Sequence, residues 1–145
     1  MVGFKVLKTI GEIELKMLPI SSQTLAVGDL IEKIVAATTW AACTATTNHF
    51  TRKAICYGAA TTADTFVLAY ELTGEEEVEV QSNATANATH NGDMMILTDK
   101  NTVANTGTSD TTQEIVFMQD RPGSTTTSLI GRVLVGNGVD PDVTG

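Results

Sequence analysis

The side chains that could carry catalysis in this sequence are few and far apart. The two histidines, His49 and His90, each lie in a Thr/Asn-rich stretch, and neither has an elbow motif around a serine or cysteine nearby. Nucleophilic hydrolysis requires an activated Ser or Cys beside a base that a third group orients. The carboxylates Glu75–Glu77 and Glu79 would alternate across a strand, which favours a solvated sheet edge over an acid/base pair. The sequence therefore predicts that the protein is not an enzyme.

Metal and cofactor chemistry also finds little support. Cys43, His49 and Cys56 carry soft ligand atoms, but their intervals of six and seven residues match no zinc-finger or zinc-ribbon spacing. The aspartates are too widely spaced for a calcium loop, and no glycine-rich phosphate cradle is present. We expect no metal, no cofactor and no small-molecule substrate. The two cysteines are predicted to be thiols, with a Cys43–Cys56 bridge as the alternative.

Composition indicates the fold class and limits the partners. The chain has 145 residues, which suit a single domain, and only 18% are charged while 42% are hydrophobic. The many threonines favour β structure, because a branched side chain suits a pleated, half-exposed surface. A net charge of −8 opposes binding to nucleic acid or to an anionic membrane. No apolar run approaches the roughly 20 residues that a bilayer needs, and no signal peptide is apparent, so we expect synthesis in the cytoplasm.

A pattern of strands and turns occurs twice. Gly28-Asp29 opens an apolar segment and Gly92-Asp93 opens another 64 residues later. In each copy a polar loop, a short apolar run, a turn and a final apolar run follow; the apolar runs are 54–57 and 66–70 in the first copy, and 115–118 and 129–135 in the second. The sequence predicts an all-β fold, a small β-barrel or β-sandwich of two related strand units.

Three segments follow from the patterning along the chain. Residues 1–11 are predicted to be a flexible, extended N-terminal arm, residues 12–135 a single β domain, and residues 136–145 a flexible tail. Within the domain, Glu12 to Leu18 alternates like a strand that Pro19 ends, and Val27 to Val35 is predicted as a strand, with a two-turn helix as the alternative. Gln81 to Asn91 is predicted to be a long loop. The arm and Trp40 are the candidate partner contacts: Phe4, Lys5, Val6, Leu7, Lys8 and Trp40.

Trp40 has two interpretations of equal weight. It lies among small residues, so it is either a plug that closes one end of a barrel or an anchor in an interface, where Trp is enriched.

The run Gly28-Asp29-Leu30-Ile31, followed by Ala54 to Leu68 with its Ala/Gly-Asp-Thr turn, resembles the capsid decoration (cement) proteins of tailed bacteriophages, including the lambdoid trimeric type. The resemblance covers roughly residues 12 to 135. It implies a homotrimer without an active site, bound to the major capsid protein on the exterior of the virion. It also implies that the N-terminal arm adds a strand to that partner, although this arm is shorter and more basic than the family's pattern.

The sequence therefore predicts a structural virion protein that binds the expanded capsid and clamps adjacent subunits. Two alternatives stay open. One is a tail- or head-associated module whose Asn/Thr loops bind host glycans. The other is a group-carrier domain, because Leu15-Lys16-Met17 superficially resembles the lysine turn of biotinyl domains.

Overall fold

The computed structural model describes residues 3–9, 11–34, 36–86, 94–104, 116–118 and 126–137. These ranges contain twelve β-strands and no helix, which confirms the predicted all-β fold. The strands are β1 Phe4–Lys8, β2 Lys16–Pro19, β3 Leu30–Lys33, β4 Ala41–Ala42, β5 Arg52–Cys56, β6 Phe66–Glu71, β7 Glu77–Ala86, β8 Met94–Met95, β9 Leu97–Asp99, β10 Thr102–Val103, β11 Val116–Met118 and β12 Thr126–Val133.

The strands form two sheets. The larger has the order β8-β11-β12-β7-β10-β9, with β1 also paired to β7, and the smaller has the order β2-β6-β5-β3-β4. All pairings are antiparallel except that of β10 with β7. One core cluster takes Leu30, Ile55 and Tyr70 from the smaller sheet and Val78 and Leu129 from the larger. The two sheets therefore bury their facing sides against each other, as in a β-sandwich.

The two sequence units occupy corresponding places in these sheets. Strands β3, β5 and β6 of the first unit are antiparallel neighbours in the smaller sheet, and β8, β11 and β12 of the second are antiparallel neighbours in the larger. In each sheet the strand that precedes the unit, β2 or β7, pairs with the last strand of that unit. Both halves thus share a Greek-key order, which agrees with two related strand units. The second opener, Gly92-Asp93, lies outside the described residues.

The smaller sheet curls until its two edges meet. The Trp40 N–H donates to the Pro19 carbonyl at 2.8 Å, and a bridge between Ile20 and Trp40 joins the ends of β2 and β4. A sheet of five strands encloses little space, so small side chains on β5 and β6 leave room for the indole. The enclosed cluster consists of Leu18, Ile20, Leu25, Ile31, Trp40, Ala54, Cys56, Ala60, Val67 and Ala69.

The first strand corrects the prediction of a flexible arm over residues 1–11. β1 pairs with β7, from Phe4 opposite Val80 to Lys8 opposite Glu77. Phe4 is 3% exposed, and its N–H donates to the Gly28 carbonyl at 2.7 Å. Alternation of apolar and basic residues correctly predicted extended backbone. Alternation within residues 4–8 cannot show that a strand beginning at Glu77 lies alongside them. The pairing with that strand, β7, makes residues 4–8 part of the domain.

The structure also tests the predicted loop at residues 81–91 and the predicted strand at residues 27–35. The predicted loop from Gln81 to Asn91 is wrong for residues 81–86, because β7 continues to Ala86 and pairs with β12 and β10. Within Val27 to Val35 the strand interpretation is confirmed, with β3 at Leu30–Lys33. Asn and Thr side chains are typical of loops, but a polar segment also forms a strand when neighbouring strands satisfy its main chain.

A buried carboxylate organises the turn from β6 to β7. Glu76 accepts hydrogen bonds from the Tyr70 hydroxyl at 2.7 Å and from the N–H groups of Thr73 and Gly74 at 3.0 Å. Gly74 has a φ of +92°, a left-handed conformation that glycine adopts without strain. Burial by itself would raise the pKa of Glu76, but the hydrogen bonds from Tyr70 and Thr73 outweigh it and lower that pKa below its ordinary value.

We expect Glu76→Gln to lower the free energy of unfolding by about 2 kcal/mol near neutral pH, because charge-assisted hydrogen bonds are lost inside the protein. The folded-state pKa is below the ordinary value of 4.5, so the carboxylate stabilises fully above that pH. Its contribution disappears as the pH falls through the folded-state pKa. Urea unfolding near pH 7 and near pH 3 should show a smaller acid loss in E76Q than in the wild type or in the exposed-site control E75Q. Equal losses in all three would contradict this role.

We expect Phe4→Ala to cost about 3–5 kcal/mol of stability, since it removes an aromatic ring from the core between the sheets. Leu7→Ala, three residues further along and on the exposed side of the same strand, should cost about 0.5 kcal/mol or less. Urea or thermal unfolding measures both. Unchanged stability of F4A would restore the flexible-arm interpretation.

Candidate interaction surface

The six predicted contact residues fall into two separate places. Five of them form β1, where Lys5, Leu7 and Lys8 are exposed, Val6 is half-buried and Phe4 is buried. Trp40 is 2% exposed and lies inside the closed smaller sheet. The structure therefore brings the strand residues together on one surface and separates Trp40 from them.

A groove of about 320 Å³ runs beside β1. Its walls are mainly apolar, and Val27, at 63% exposed, forms an open rim. Its lining residues are Phe4, Lys5, Val6, Val27, Gly28, Ile55, Cys56 and Tyr57. Because Lys5 is charged and exposed, the groove combines apolar contact area with one positive group.

The floor of the groove depends on close backbone contact at Gly3 and Gly28. Both have a φ of +95°, and a Cβ on Gly3 would lie 2.7 Å from the Gly28 carbonyl oxygen, which is closer than van der Waals contact. The buried Asp29 carboxylate accepts from the Ala26 N–H at 2.9 Å and pairs with the Lys100 ammonium at 3.2 Å. Glycine at both positions and aspartate at the next one thus position β1 against the smaller sheet.

Burial of Trp40 agrees with the plug interpretation. The Arg52 guanidinium lies 5.3 Å from the indole centroid, within the range of a cation–π contact. The same guanidinium donates to both Glu71 carboxylate oxygens, at 2.8 and 3.0 Å, and Lys16 approaches to 3.6 Å. Burial opposes ionisation of Glu71, but Arg52 and then Lys16 outweigh it and lower the pKa of that carboxyl. Indole and ion pair close this side of the barrel, so the ring presents no exposed face to a partner.

An exposed apolar strip on β2 and β6 was missed by sequence reasoning. Met17 is 59% exposed and lies opposite Leu68, while Phe66 is 52% exposed and lies opposite Pro19. Ile13 and Leu15 continue the strip on the segment before β2. Alternation over Glu12 to Leu18 was the available signal, but alternation cannot say which of the two faces is buried. Here Leu18 is buried and Ile13, Leu15 and Met17 face solvent.

The candidate ligand groups for metal or nucleophilic chemistry are not brought together. Cys43 belongs to the core between the sheets and Cys56 to the barrel interior; both are free thiols, as predicted. Burial raises the pKa of both thiols, that of Cys56 to about 12. Among the described residues no group of three His, Cys, Asp or Glu side chains could hold a metal ion. His90 lies outside these residues.

Lys53 is a buried cation that the sequence did not indicate. Its side chain is fully buried, and its ammonium donates to the carbonyls of Asn48 at 2.7 Å and Thr51 at 3.2 Å. Burial lowers the pKa of this amine to about 8. These hydrogen bonds hold the connection between β4 and β5 from inside, which explains why a charged residue is tolerated there.

The chain matches no protein-family model and no characterised protein. No helix able to cross a membrane occurs in the described ranges.

We expect both cysteines to be unreactive toward a water-soluble aromatic disulfide while the protein is folded, because the thiolate is the reactive form and burial disfavours it. The control is Ile34→Cys, at a position that is 50% exposed. I34C should react rapidly at its added thiol, and denaturant should release both native thiols. Rapid labelling of the folded wild type would show that one of the two clusters opens readily.

Proposed function

We propose that this protein is a structural protein of a tailed-phage virion. It binds the outer surface of the expanded capsid as a homotrimer and stabilises the shell by clamping adjacent copies of the major capsid protein. It acts by binding and not by catalysis. The observation that carries the proposal is the apolar groove beside β1, which has a lysine at its rim and an accessible main-chain edge.

The main-chain edge follows from the alternation of a strand. The Phe4 N–H points away from β7, since it donates to Gly28. Val6, two residues later, directs its N–H and carbonyl the same way. Since the Phe4 N–H is already bonded to Gly28, an extended segment of a capsid subunit laid along the groove gains its hydrogen bonds from Val6, and apolar contact from Val27 and Tyr57. This is strand augmentation, in which the main chain supplies affinity and the side-chain pockets supply specificity.

The charges on this protein indicate which kind of capsid segment would bind along β1. The chain carries a net charge of −8, yet the exposed charges of β1 are Lys5 and Lys8. These lysines lie opposite Glu79 and Glu77 of β7, so the two paired strands together carry no net positive charge here. An acidic extended segment is therefore attracted to the exposed lysine ammonium groups themselves, beside the groove at Lys5. Such steering raises the association rate and weakens as salt is added.

Stabilisation of the shell follows from linkage. A protein that binds the expanded lattice and not the unexpanded one favours expansion by RT ln(1 + [L]/Kd), about 2.7 kcal/mol per site at a hundredfold excess over Kd. A trimer that touches several subunits gains further from effective concentration, because its second and third contacts are intramolecular.

The test is sedimentation of the purified protein with expanded and unexpanded heads of the virus that encodes it. We expect binding to expanded heads alone, and a higher bursting temperature of the decorated heads. Lys5→Glu should weaken binding by at least about tenfold. Because it places a second carboxylate opposite Glu79 of β7, thermal unfolding of the free variant is measured alongside, and binding is compared at a temperature where the variant is fully folded. Lys33→Glu on β3 makes the same charge change away from the groove and is the matched control.

Three outcomes would contradict the proposal. They are equal binding to both shell forms, bursting at the same temperature with and without the protein, and loss of binding in K33E equal to that in the β1 variant. Specific binding to a host glycan without binding to heads would favour the glycan-binding alternative.

A further inference from the structure

The segment before β2 has the sequence pattern of a strand but forms no strand in the structure. Residues 11–15 are exposed throughout and take part in no described strand pairing, whereas Lys16–Pro19 pairs with β6. The alternation of Ile13, Leu15 and Met17 with Glu14 and Lys16 continues across this boundary. The sequence pattern of a strand is thus longer than the strand that the domain itself pairs.

The free edge of this segment can be identified from two hydrogen bonds. The Ile20 N–H donates toward β6, to Thr65 at 3.0 Å, and the Pro19 carbonyl accepts on the opposite side, from Trp40. Main-chain groups of alternate residues in a strand point to alternate sides. Met17 has the same parity as Pro19, so it directs its N–H and carbonyl away from β6. Leu15 and Ile13 would do the same if the strand were extended to residue 13. Beyond the Trp40 contact no described strand pairs with that side.

We propose that this edge binds a second copy of the same chain, with the two segments antiparallel about a two-fold axis at Leu15. Leu15 then lies opposite Leu15 of the second copy, and Ile13 opposite Met17. In this register three residue pairs exchange main-chain hydrogen bonds: Leu15 with Leu15, and Ile13 with Met17 twice. Two bonds in each pair give about six hydrogen bonds. Glu14 lies opposite Lys16 twice, so the segment is complementary to itself in charge. Lys16 also approaches Glu71 of its own chain to 3.6 Å, and Glu14 of the second copy would be a second carboxylate beside that ammonium.

Other two-fold registers are less favourable. An axis at Ile13 opposes Glu12 and Glu14, and an axis at Glu14 or Lys16 opposes like charges directly, which destabilises a sheet. An axis at Met17 places Pro19, which has no N–H, in the ladder. The register about Leu15 also puts Ile13, Leu15 and Met17 of both copies on one face. There they form a continuous apolar surface with Phe66.

The inference does not depend on the proposed virion role. A two-fold contact of this kind is isologous, so it uses the same patch on both copies and closes as a pair. It is separate from any three-fold association. On a shell it would join copies that belong to neighbouring trimers, and in free solution it would give a dimer or link trimers together.

Cross-linking of Leu15→Cys tests the register. Residues in a hydrogen-bonded antiparallel pair have Cα atoms about 5.5 Å apart, within the range of a disulfide. Under mild oxidation we expect L15C to form a disulfide-linked dimer at least about tenfold faster than I34C. I34C is the control because Ile34 is also half-exposed and lies on another strand end. Equal rates, or cross-linking of L15C only when heads are present, would overturn the two-fold pairing.

Charge reversal tests the complementarity. We expect Glu14→Lys, which places a second ammonium group opposite Lys16, to raise the dimer dissociation constant at least about tenfold. Glu12→Lys makes the same change opposite Leu18 and should leave the dissociation constant within about twofold. Sedimentation equilibrium measures both, and thermal unfolding checks that each variant folds. An equal effect of the two substitutions, or none from either, would overturn the proposal.

Discussion

The two sheets depend on main-chain hydrogen bonds around Gly28 and Asp29. The Gly28 carbonyl accepts from Phe4 at 2.7 Å, the Gly28 N–H donates to Cys56 at 2.9 Å, and the Leu30 N–H donates to Lys100 at 2.7 Å. These bonds tie β1, β5 and the β9–β10 turn to the start of β3. Since the partners come from distant parts of the chain, the junction forms only when both sheets are present, and this couples their stability.

The buried charged side chains of this domain hold the loops and turns between strands in place. Glu76 holds the turn that carries the chain from one sheet to the other, Lys53 holds the connection into β5, and Asp29 holds the opener of β3. Each charge is compensated by main-chain groups or an ion pair, which is the condition for burying it without a large loss of stability. None of the three lies at an accessible surface, so we assign them to the fold and not to binding.

Two strand edges among the described residues are the surfaces that the proposals use. Sheets expose unpaired N–H and carbonyl groups at their edges, and proteins either protect these groups or use them. The edge of β1 borders a groove and carries lysines, while the edge of β2 is apolar and self-complementary in charge. These chemistries are different, so one edge suits an acidic partner segment and the other a second copy. The proposed capsid binding and the proposed two-fold contact therefore use different strand edges.

The sequence by itself determined the all-β class, the two related strand units and the positions of most strands, because period-two alternation and turn residues act locally. It also correctly predicted two free thiols. Three matters were decided only by tertiary structure: the partner of residues 4–8, the continuation of β7 through polar residues 81–86, and the exposure of Ile13, Leu15 and Met17. Each depends on which distant strand lies alongside. Alternation specifies that a strand has two faces and two edges, but only the packed sheets decide which face is buried and which edge is left free.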